Sequence, residues 1–167
     1  VLLLPMNLIG GSIFQVLFQR GSRAKLDGSL ALLVEDIMIR LIVIGFFPSF
    51  LLMLTGKEFF TVIFGARWAE AGVYAQILAP YVYLNFLASP ISFLFSSLEL
   101  QEKSLFFNIF QIFARFGVLA LGGFMGDARL AIILFSIICI ISMGGVLLWL
   151  LSKAGSSYSK LLYKFIE

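Results

Sequence analysis

Arg115 is the residue whose position most needs a chemical explanation, because it lies near the centre of an apolar run. An arginine in the middle of a bilayer costs at least about 2.5–3.5 kcal/mol on insertion scales, so it requires a partner or water. Its planar guanidinium keeps its charge and can donate two hydrogen bonds to phosphate oxygens. Arg115 is therefore a candidate anion-binding residue that faces a cavity. The alternative is a structural arginine that pairs with Asn108 or a neighbouring carbonyl, or one that snorkels from a shifted span.

Two more arginines, Arg40 and Arg20, lie beside apolar runs and are candidate binding residues for the same kind of ligand. Arg40 follows Glu35 and Asp36 at helical spacing, which permits an ion pair. We expect an interfacial salt bridge there, with a vestibule for an anionic ligand as the alternative. Arg20 could line the same vestibule, although a basic anchor at the membrane surface also explains it.

Asn85 and Gln111 are neutral polar residues in the middle of apolar runs. Hydrogen bonds between helices are the expected role of each, because polar side chains in membranes usually bind a neighbouring helix. Contact with the hydroxyl groups of a ligand is the alternative. Both residues are therefore candidate ligand-binding positions as well.

The composition is that of an integral membrane protein. Hydrophobic residues make up 61% of the chain and charged residues 13%, with a mean hydropathy of +1.06; soluble domains carry about 25% charged residues. The sequence lacks histidine, and its one cysteine, Cys139, lies inside an apolar run, so neither a metal site nor a disulfide is predicted. Catalytic motifs and basic patches interleaved with aromatic residues are also absent from the sequence. We expect no enzyme activity, no cofactor and no nucleic-acid partner.

The candidate residues must be positioned by membrane-spanning helices, and the longest uncharged stretch is residues 71–98. It exceeds the roughly 20 residues that a helix needs to cross the hydrocarbon core. Pro80 and Pro90 lie inside it and should kink it. The pattern predicts an all-α polytopic membrane helix bundle with five spans, at residues 1–19, 36–54, 71–98, 104–124 and 130–151.

Two segments are expected outside the hydrocarbon core. Residues 57–70 are too short and too charged to span, and their aromatic side chains suit the membrane–water boundary. The tail, residues 153–167, is basic and mildly amphipathic, like a helix on the membrane surface.

Lysine and arginine in the connecting segments predict the orientation of the chain. The more basic side carries the cluster Arg20, Arg23, Lys25, then Lys103, and then Lys153, Lys160 and Lys164. That side should be cytoplasmic, which places the C-terminus inside the cell. Because the chain is already in an apolar run at Val1, we expect the C-terminal part of a longer protein, with a truncated gene product as the alternative.

Several short motifs resemble the C-terminal half of bacterial polysaccharide flippases, the lipid-linked oligosaccharide translocases of O-antigen and capsule synthesis. The most specific is FGARWAEAG at residues 64–72 together with the helix that follows it. The other motifs extend the resemblance over essentially the whole chain: Leu4-Pro5 through Gln15, Gln19-Arg20, ILAP at 77–80, SP at 89–90, Glu99, and Asn108 followed by Arg115.

The resemblance implies a member of the multidrug/oligosaccharidyl-lipid/polysaccharide exporter superfamily in a bacterial cytoplasmic membrane. Such transporters have about twelve helices in two lobes, of which this chain would supply the last five. The cargo would be an undecaprenyl-pyrophosphate-linked oligosaccharide. Further partners would be membrane lipids, the missing N-terminal helices and other polysaccharide-assembly proteins. The implied substrate-binding residues are Arg115, Arg40, Arg20, Asn85 and Gln111.

Two alternatives to a flippase stay open. A multidrug cation antiporter of the same superfamily should carry a carboxylate in mid-membrane, which this sequence lacks. A membrane polymerase or ligase of the sugar pathway should carry large outer loops, whereas the longest one here is residues 57–70.

Overall fold

The computed structural model describes residues 17–156, and all the regular structure in that part is helical. Helix α1 covers residues 17–26. It is followed by α2 (Leu30–Phe64), a 3-10 turn (Ala66–Trp68), α3 (Ala69–Ile91), α4 (Phe93–Ser97), α5 (Gln101–Phe124) and α6 (Ala128–Lys153). The predicted all-α class is confirmed.

Four helical segments are long and apolar enough to cross a membrane: Leu30–Phe64, Ala66–Ser97, Gln101–Phe124 and Ala128–Lys153. They define a multi-pass membrane protein. Most of the first predicted span (1–19) and most of the predicted surface tail (153–167) lie outside the described residues. Within the described part, α1 runs past the predicted end of that span at residue 19 and ends at residue 26, so Arg20, Arg23 and Lys25 belong to this helix.

The second span was predicted too short, and the boundary segment at residues 57–70 is not a separate element. Helix α2 runs without interruption through Gly56, Lys57 and Glu58 to Phe64. Gly56 does not end the helix because it is buried against α3, where a small residue permits close packing. The 35 residues of α2 extend about 52 Å at 1.5 Å per residue, well beyond the hydrocarbon core, so its charged ends can reach water.

The third predicted span consists of two helices. Pro90 has no amide hydrogen to donate, and α3 ends at Ile91. The chain then passes through Ser92 into α4. Pro48 and Pro80, in contrast, lie inside the uninterrupted helices α2 and α3.

The helices are arranged in the spatial order α2, α3, α6, α5. Helix α3 packs against α2 on one side and α6 on the other, α6 also packs against α5, and the α3 and α5 backbones barely touch. A cluster of deeply buried side chains lies where α2, the α3–α4 junction and the end of α6 meet: Val34, Ile91, Phe93, Leu94, Leu150 and Leu151.

The two ends of the bundle differ in charge. The basic end carries Arg23 and Lys25 of α1, Lys103 of α5 and Lys153 of α6. Contacts confirm that these residues share an end: Lys25 pairs with Glu99 at 3.5 Å, and the Lys103 ammonium lies 5.3 Å from the centre of the Trp149 ring. The opposite end contains the starts of α3 and α6, where Glu70 and Arg129 lie. We call it the latch end, because these two residues form an ion pair there.

Candidate functional site: a polar groove between α3 and α5

A groove of about 470 Å³ runs between α3–α4 and α5, on the surface of α6. Its volume is within the range of small-molecule sites. The floor is apolar and is formed by Met143, Val146, Leu147 and Leu150 of α6. The two walls carry seven neutral polar side chains: Asn85, Ser89, Ser92 and Ser96 on one, and Gln101, Ser104 and Asn108 on the other. We call this feature the polar groove.

The polar groove follows from helical spacing on two antiparallel elements. Asn85 and Ser89 are four residues apart and therefore share one face of α3, and Ser92, directly after the end of α3, follows on the same side. Ser104 and Asn108 share one face of α5 for the same reason. Because α6 holds α3 and α5 apart, the two polar faces oppose each other without closing.

Much of the hydrogen-bonding capacity of these walls is not used by the protein. The Asn108 amide donates to Ser104 Oγ at 3.4 Å, and the Ser92 hydroxyl donates to the Ser89 carbonyl at 2.6 Å, in each case within one wall. The side-chain amides of Asn85 and Gln101 have no hydrogen-bond partner among residues 17–156. Polar groups that faced lipid without partners would each cost several kcal/mol. The polar groove is therefore suited to hold water or a polar ligand.

Arg115 lies two turns beyond Asn108 on α5 and faces the interior of the bundle. Its Nη2 donates to the Tyr81 hydroxyl at 3.3 Å, and its guanidinium lies 5.7 and 5.9 Å from the ring centres of Tyr81 and Phe135. The Nε atom is buried and has no hydrogen-bond partner among residues 17–156. Since Tyr81 precedes Asn85 by one turn of α3, the Arg115–Tyr81 pair stands beyond the deep end of the polar groove.

Arg115 is thus an intramembrane cation that has a partner in Tyr81 and a buried Nε that is not used in a hydrogen bond within the described residues. The sequence suggested Asn108 or a carbonyl as its structural partner, and the structure gives Tyr81 instead, on the neighbouring wall. The arginine faces neighbouring helices and not lipid. Its bond to Tyr81 agrees with the structural interpretation, and its unpartnered Nε leaves the ligand-binding interpretation open.

Gln111 and Asn85, the two neutral candidates, have different surroundings. Gln111 is buried and its amide donates to Ser142 of α6 at 3.4 Å, which is the interhelical bond expected of it. Asn85 is exposed in the polar groove, where a ligand can reach it. Asn85 is therefore the stronger of these two binding candidates.

Arg40 and Arg20 lie away from the polar groove, near the basic end. Arg40 pairs with Asp36 at 3.1 Å, and its side chain is 73% exposed, as expected for an interfacial salt bridge. Glu35, the other proposed partner, is buried instead. Arg20 and Asp36 both line a separate shallow depression of about 440 Å³ between α1 and α2.

The contact that closes the latch end was not predicted from the sequence. Arg129 of α6 donates two hydrogen bonds to the Glu70 carboxylate of α3, from Nε at 2.7 Å and from Nη2 at 2.8 Å. The Asp127 carboxylate accepts from the backbone amides of Arg129 and Leu130 and so caps α6. The latch end of the α3–α6 pair is therefore fixed, whereas α3 and α5 remain apart along the groove.

The serines of the groove walls and Gln101 were not recognised as site residues from the sequence. The recurrence of neutral polar residues every three to five positions through residues 85–108 was the available signal. Residues 17–156 contain no group of side chains suited to hold a metal ion.

The fold and site define a multi-pass membrane helix bundle with a ligand-sized polar groove in its side. Comparison of the chain with protein-family models, curated proteins and solved structures finds no match.

Proposed function

We propose that the chain is the C-terminal part of a flippase that carries an undecaprenyl-pyrophosphate-linked oligosaccharide across the bacterial cytoplasmic membrane, for synthesis of O-antigen, capsule or exopolysaccharide. The observation that carries this proposal is the polar groove. Its walls present amide and hydroxyl groups but no charge, which suits a ligand rich in hydroxyls. The resemblance of residues 64–72 to flippase sequences points the same way.

Each part of the cargo has a matching group in this chain. The amides of Asn85 and Asn108 can each donate to one sugar hydroxyl and accept from another. The Arg115 guanidinium, beyond the deep end of the groove, adds a positive charge that attracts a phosphate of the cargo. Arg20 and Arg40 add positive charge where an anionic cargo would approach from the basic end.

The proposed orientation puts the basic end in the cytoplasm, as the excess of lysine and arginine favours. The C-terminus is then inside the cell. Other helices of the longer protein would face the open side of the polar groove and complete the cavity. Rocking of this chain against those other helices would expose the groove to each leaflet in turn. An ion gradient or the cargo gradient would drive the motion.

The multidrug antiporter alternative requires a carboxylate beside the ligand, and the polar groove has none. The buried acidic side chain of the described part, Glu35, lies on α2 near the basic end and does not line the groove. The neutral lining therefore favours a carbohydrate cargo over an organic cation.

Complementation of a deletion strain with the full-length gene tests the proposal. We expect the double variant Asn85→Leu/Asn108→Leu to lose surface polysaccharide at normal membrane abundance, because it makes the walls apolar. Arg115→Ala should also lose polysaccharide, and Arg115→Lys should restore part of it, since the charge returns without the planar fork.

Gln76→Leu is the matched control, because Gln76 lies on α3 but outside the polar groove. It should export polysaccharide in proportion to its abundance. Wild-type export by the Asn85→Leu/Asn108→Leu variant would contradict the proposal.

A further inference from the structure

A second cavity, of about 450 Å³, adjoins the polar groove at the basic end of the bundle. Phe95, Phe107 and Val146 line both cavities and form the wall between them. Beyond this wall the lining changes to Phe106 and Trp149 together with two charged residues, Glu102 and Lys103. We call this second cavity the aromatic recess; the flippase proposal makes no use of it.

The aromatic recess lies where a membrane helix passes from hydrocarbon to water. Glu102 and Lys103 occupy the first turn of α5, and Trp149 lies one turn before the end of α6. Tryptophan is favoured at this boundary because its ring is apolar and its N–H is polar. The recess is thus at the depth of lipid headgroups and the first carbons of their chains.

The two charged residues are available to a ligand. Neighbours in a helix do not face each other, so Glu102 and Lys103 are poorly placed to neutralise one another. Neither forms an ion pair with any residue in the described range. The Lys103 ammonium lies 5.3 Å from the centre of the Trp149 ring, which holds it at the recess.

We propose that the aromatic recess binds a phosphatidylethanolamine molecule of the bilayer. Its phosphate would pair with Lys103, its ammonium with Glu102, and an acyl chain would lie against Phe106, Phe107 and Trp149. A zwitterionic headgroup with a primary ammonium fits the adjacent opposite charges. A purely anionic headgroup would meet the Glu102 carboxylate, and a choline headgroup cannot donate a hydrogen bond to it.

The chain offers a site-specific probe for this lipid, because it contains two tryptophans at opposite ends of the bundle. Trp68→Phe leaves Trp149 in the recess as the sole tryptophan, and Trp149→Phe leaves Trp68 as a control at the latch end. The whole chain is reconstituted in phosphatidylcholine vesicles that contain a small fraction of one brominated test lipid. Bromine quenches tryptophan fluorescence only at close range. The extent of quenching therefore measures how often the brominated test lipid, and not the unbrominated phosphatidylcholine, lies beside the reporter tryptophan.

With Trp149 as reporter, we expect brominated phosphatidylethanolamine to bind about twofold to fivefold better than brominated phosphatidylcholine or phosphatidylglycerol, the effect of one exposed ion pair. Glu102→Gln should shift the preference to phosphatidylglycerol, because the repulsion of the anion is removed. Glu102→Gln should also abolish the preference for phosphatidylethanolamine over phosphatidylcholine, because only the primary ammonium can donate to the carboxylate. Lys103→Gln should weaken the binding of all three lipids, because each of them carries the phosphate that Lys103 pairs with. The Trp68 reporter should show no preference.

Equal quenching of Trp149 by the three lipids would overturn the proposal, as would strongest quenching by phosphatidylglycerol in the chain with native charges. Relief of the phosphatidylethanolamine quenching by added polyprenyl phosphate at equimolar amounts would assign the recess to the transported lipid instead. None of these readouts depends on transport. A failed lipid-binding test would therefore leave the flippase proposal unaffected, and a failed flippase proposal would leave the lipid-binding result unaffected.

Discussion

The two sides of α3 differ in how closely the neighbouring helix packs and in whether polar side chains have partners. Towards α2, small residues bring the backbones together and polar groups find partners: Gln76 donates to the carbonyls of Met53 and Leu54 at 3.2 and 3.1 Å. The Tyr83 hydroxyl likewise donates to the Ile42 carbonyl at 3.3 Å. Towards α5, Asn85 has no protein partner within residues 17–156, and the neighbouring helix stands away.

This difference separates the part of the molecule that holds the fold from the part that can bind a ligand. A membrane helix gains no hydrophobic stabilisation from leaving lipid for another helix, so close packing and interhelical hydrogen bonds must hold the pair together. The α2–α3 side provides both. On the α5 side Arg115 donates one hydrogen bond to Tyr81, but the polar side chains that line the groove form no hydrogen bond between α3 and α5. The presence of these groove side chains is explained by a ligand or water.

The largest effect on stability is expected at the closest approach of α2 and α3. A Cβ added at Gly72 would lie 2.6 Å from the Gly56 carbonyl oxygen and 2.6 Å from Lys57 Cα, which are both backbone atoms. Gly72→Ala should therefore force the helices apart and cost about 1–3 kcal/mol of the free energy of unfolding. Thermal unfolding of the purified wild-type and Gly72→Ala proteins in detergent measures this loss of stability.

Gly117→Ala is the matched control, because nothing lies within 4 Å of a Cβ added there. It should raise stability by about 0.5–1 kcal/mol, as expected for glycine replaced in a helix. An equal effect of the two substitutions would mean that the α2–α3 contact is looser than described.

A smaller effect is expected from removal of single polar side chains on the two sides of α3. Gln76→Leu should cost about 0.6–2 kcal/mol, because it deletes the bonds to two α2 carbonyls. Asn85→Leu should cost nothing measurable in the same unfolding assay, since the Asn85 side chain forms no hydrogen bond within residues 17–156. A large loss for Asn85→Leu would show that Asn85 stabilises the fold and would weaken its assignment to the site.

The positions of the later helices were largely predictable from the sequence. The predicted spans 104–124 and 130–151 differ by at most three residues from α5 (Gln101–Phe124) and α6 (Ala128–Lys153), because charged turns mark their ends. The end of α2 was not predictable in this way. Lys57 and Glu58 look like the start of a loop, yet they continue a helix that is longer than the membrane is thick.

The polar groove could not be predicted because it depends on which helices adjoin. Helical spacing shows that Asn85 and Ser89 share a face, but not that the face opposes Asn108 across a gap held open by α6. The partner of Arg115 was missed for the same reason, since Tyr81 is 34 residues away in sequence. Arg40, whose partner is four residues away, was predicted correctly.

The most direct test of the central claim is whether water reaches the polar groove in the membrane. Cys139 is the sole cysteine, so Cys139→Ala gives a background in which single cysteines can be placed. Asn85→Cys and Asn108→Cys probe the two walls. Phe113→Cys, at a 73% exposed apolar position of α5 outside the groove, is the control for the lipid-facing surface.

We predict that a charged thiol reagent in water modifies the cysteines at 85 and 108 in intact membranes but modifies the cysteine at 113 only after detergent is added. Reaction from the cytoplasmic side would also support the proposed orientation. If the cysteines at 85 and 108 were as unreactive in membranes as the one at 113, the groove would be closed to water and could not be the binding site.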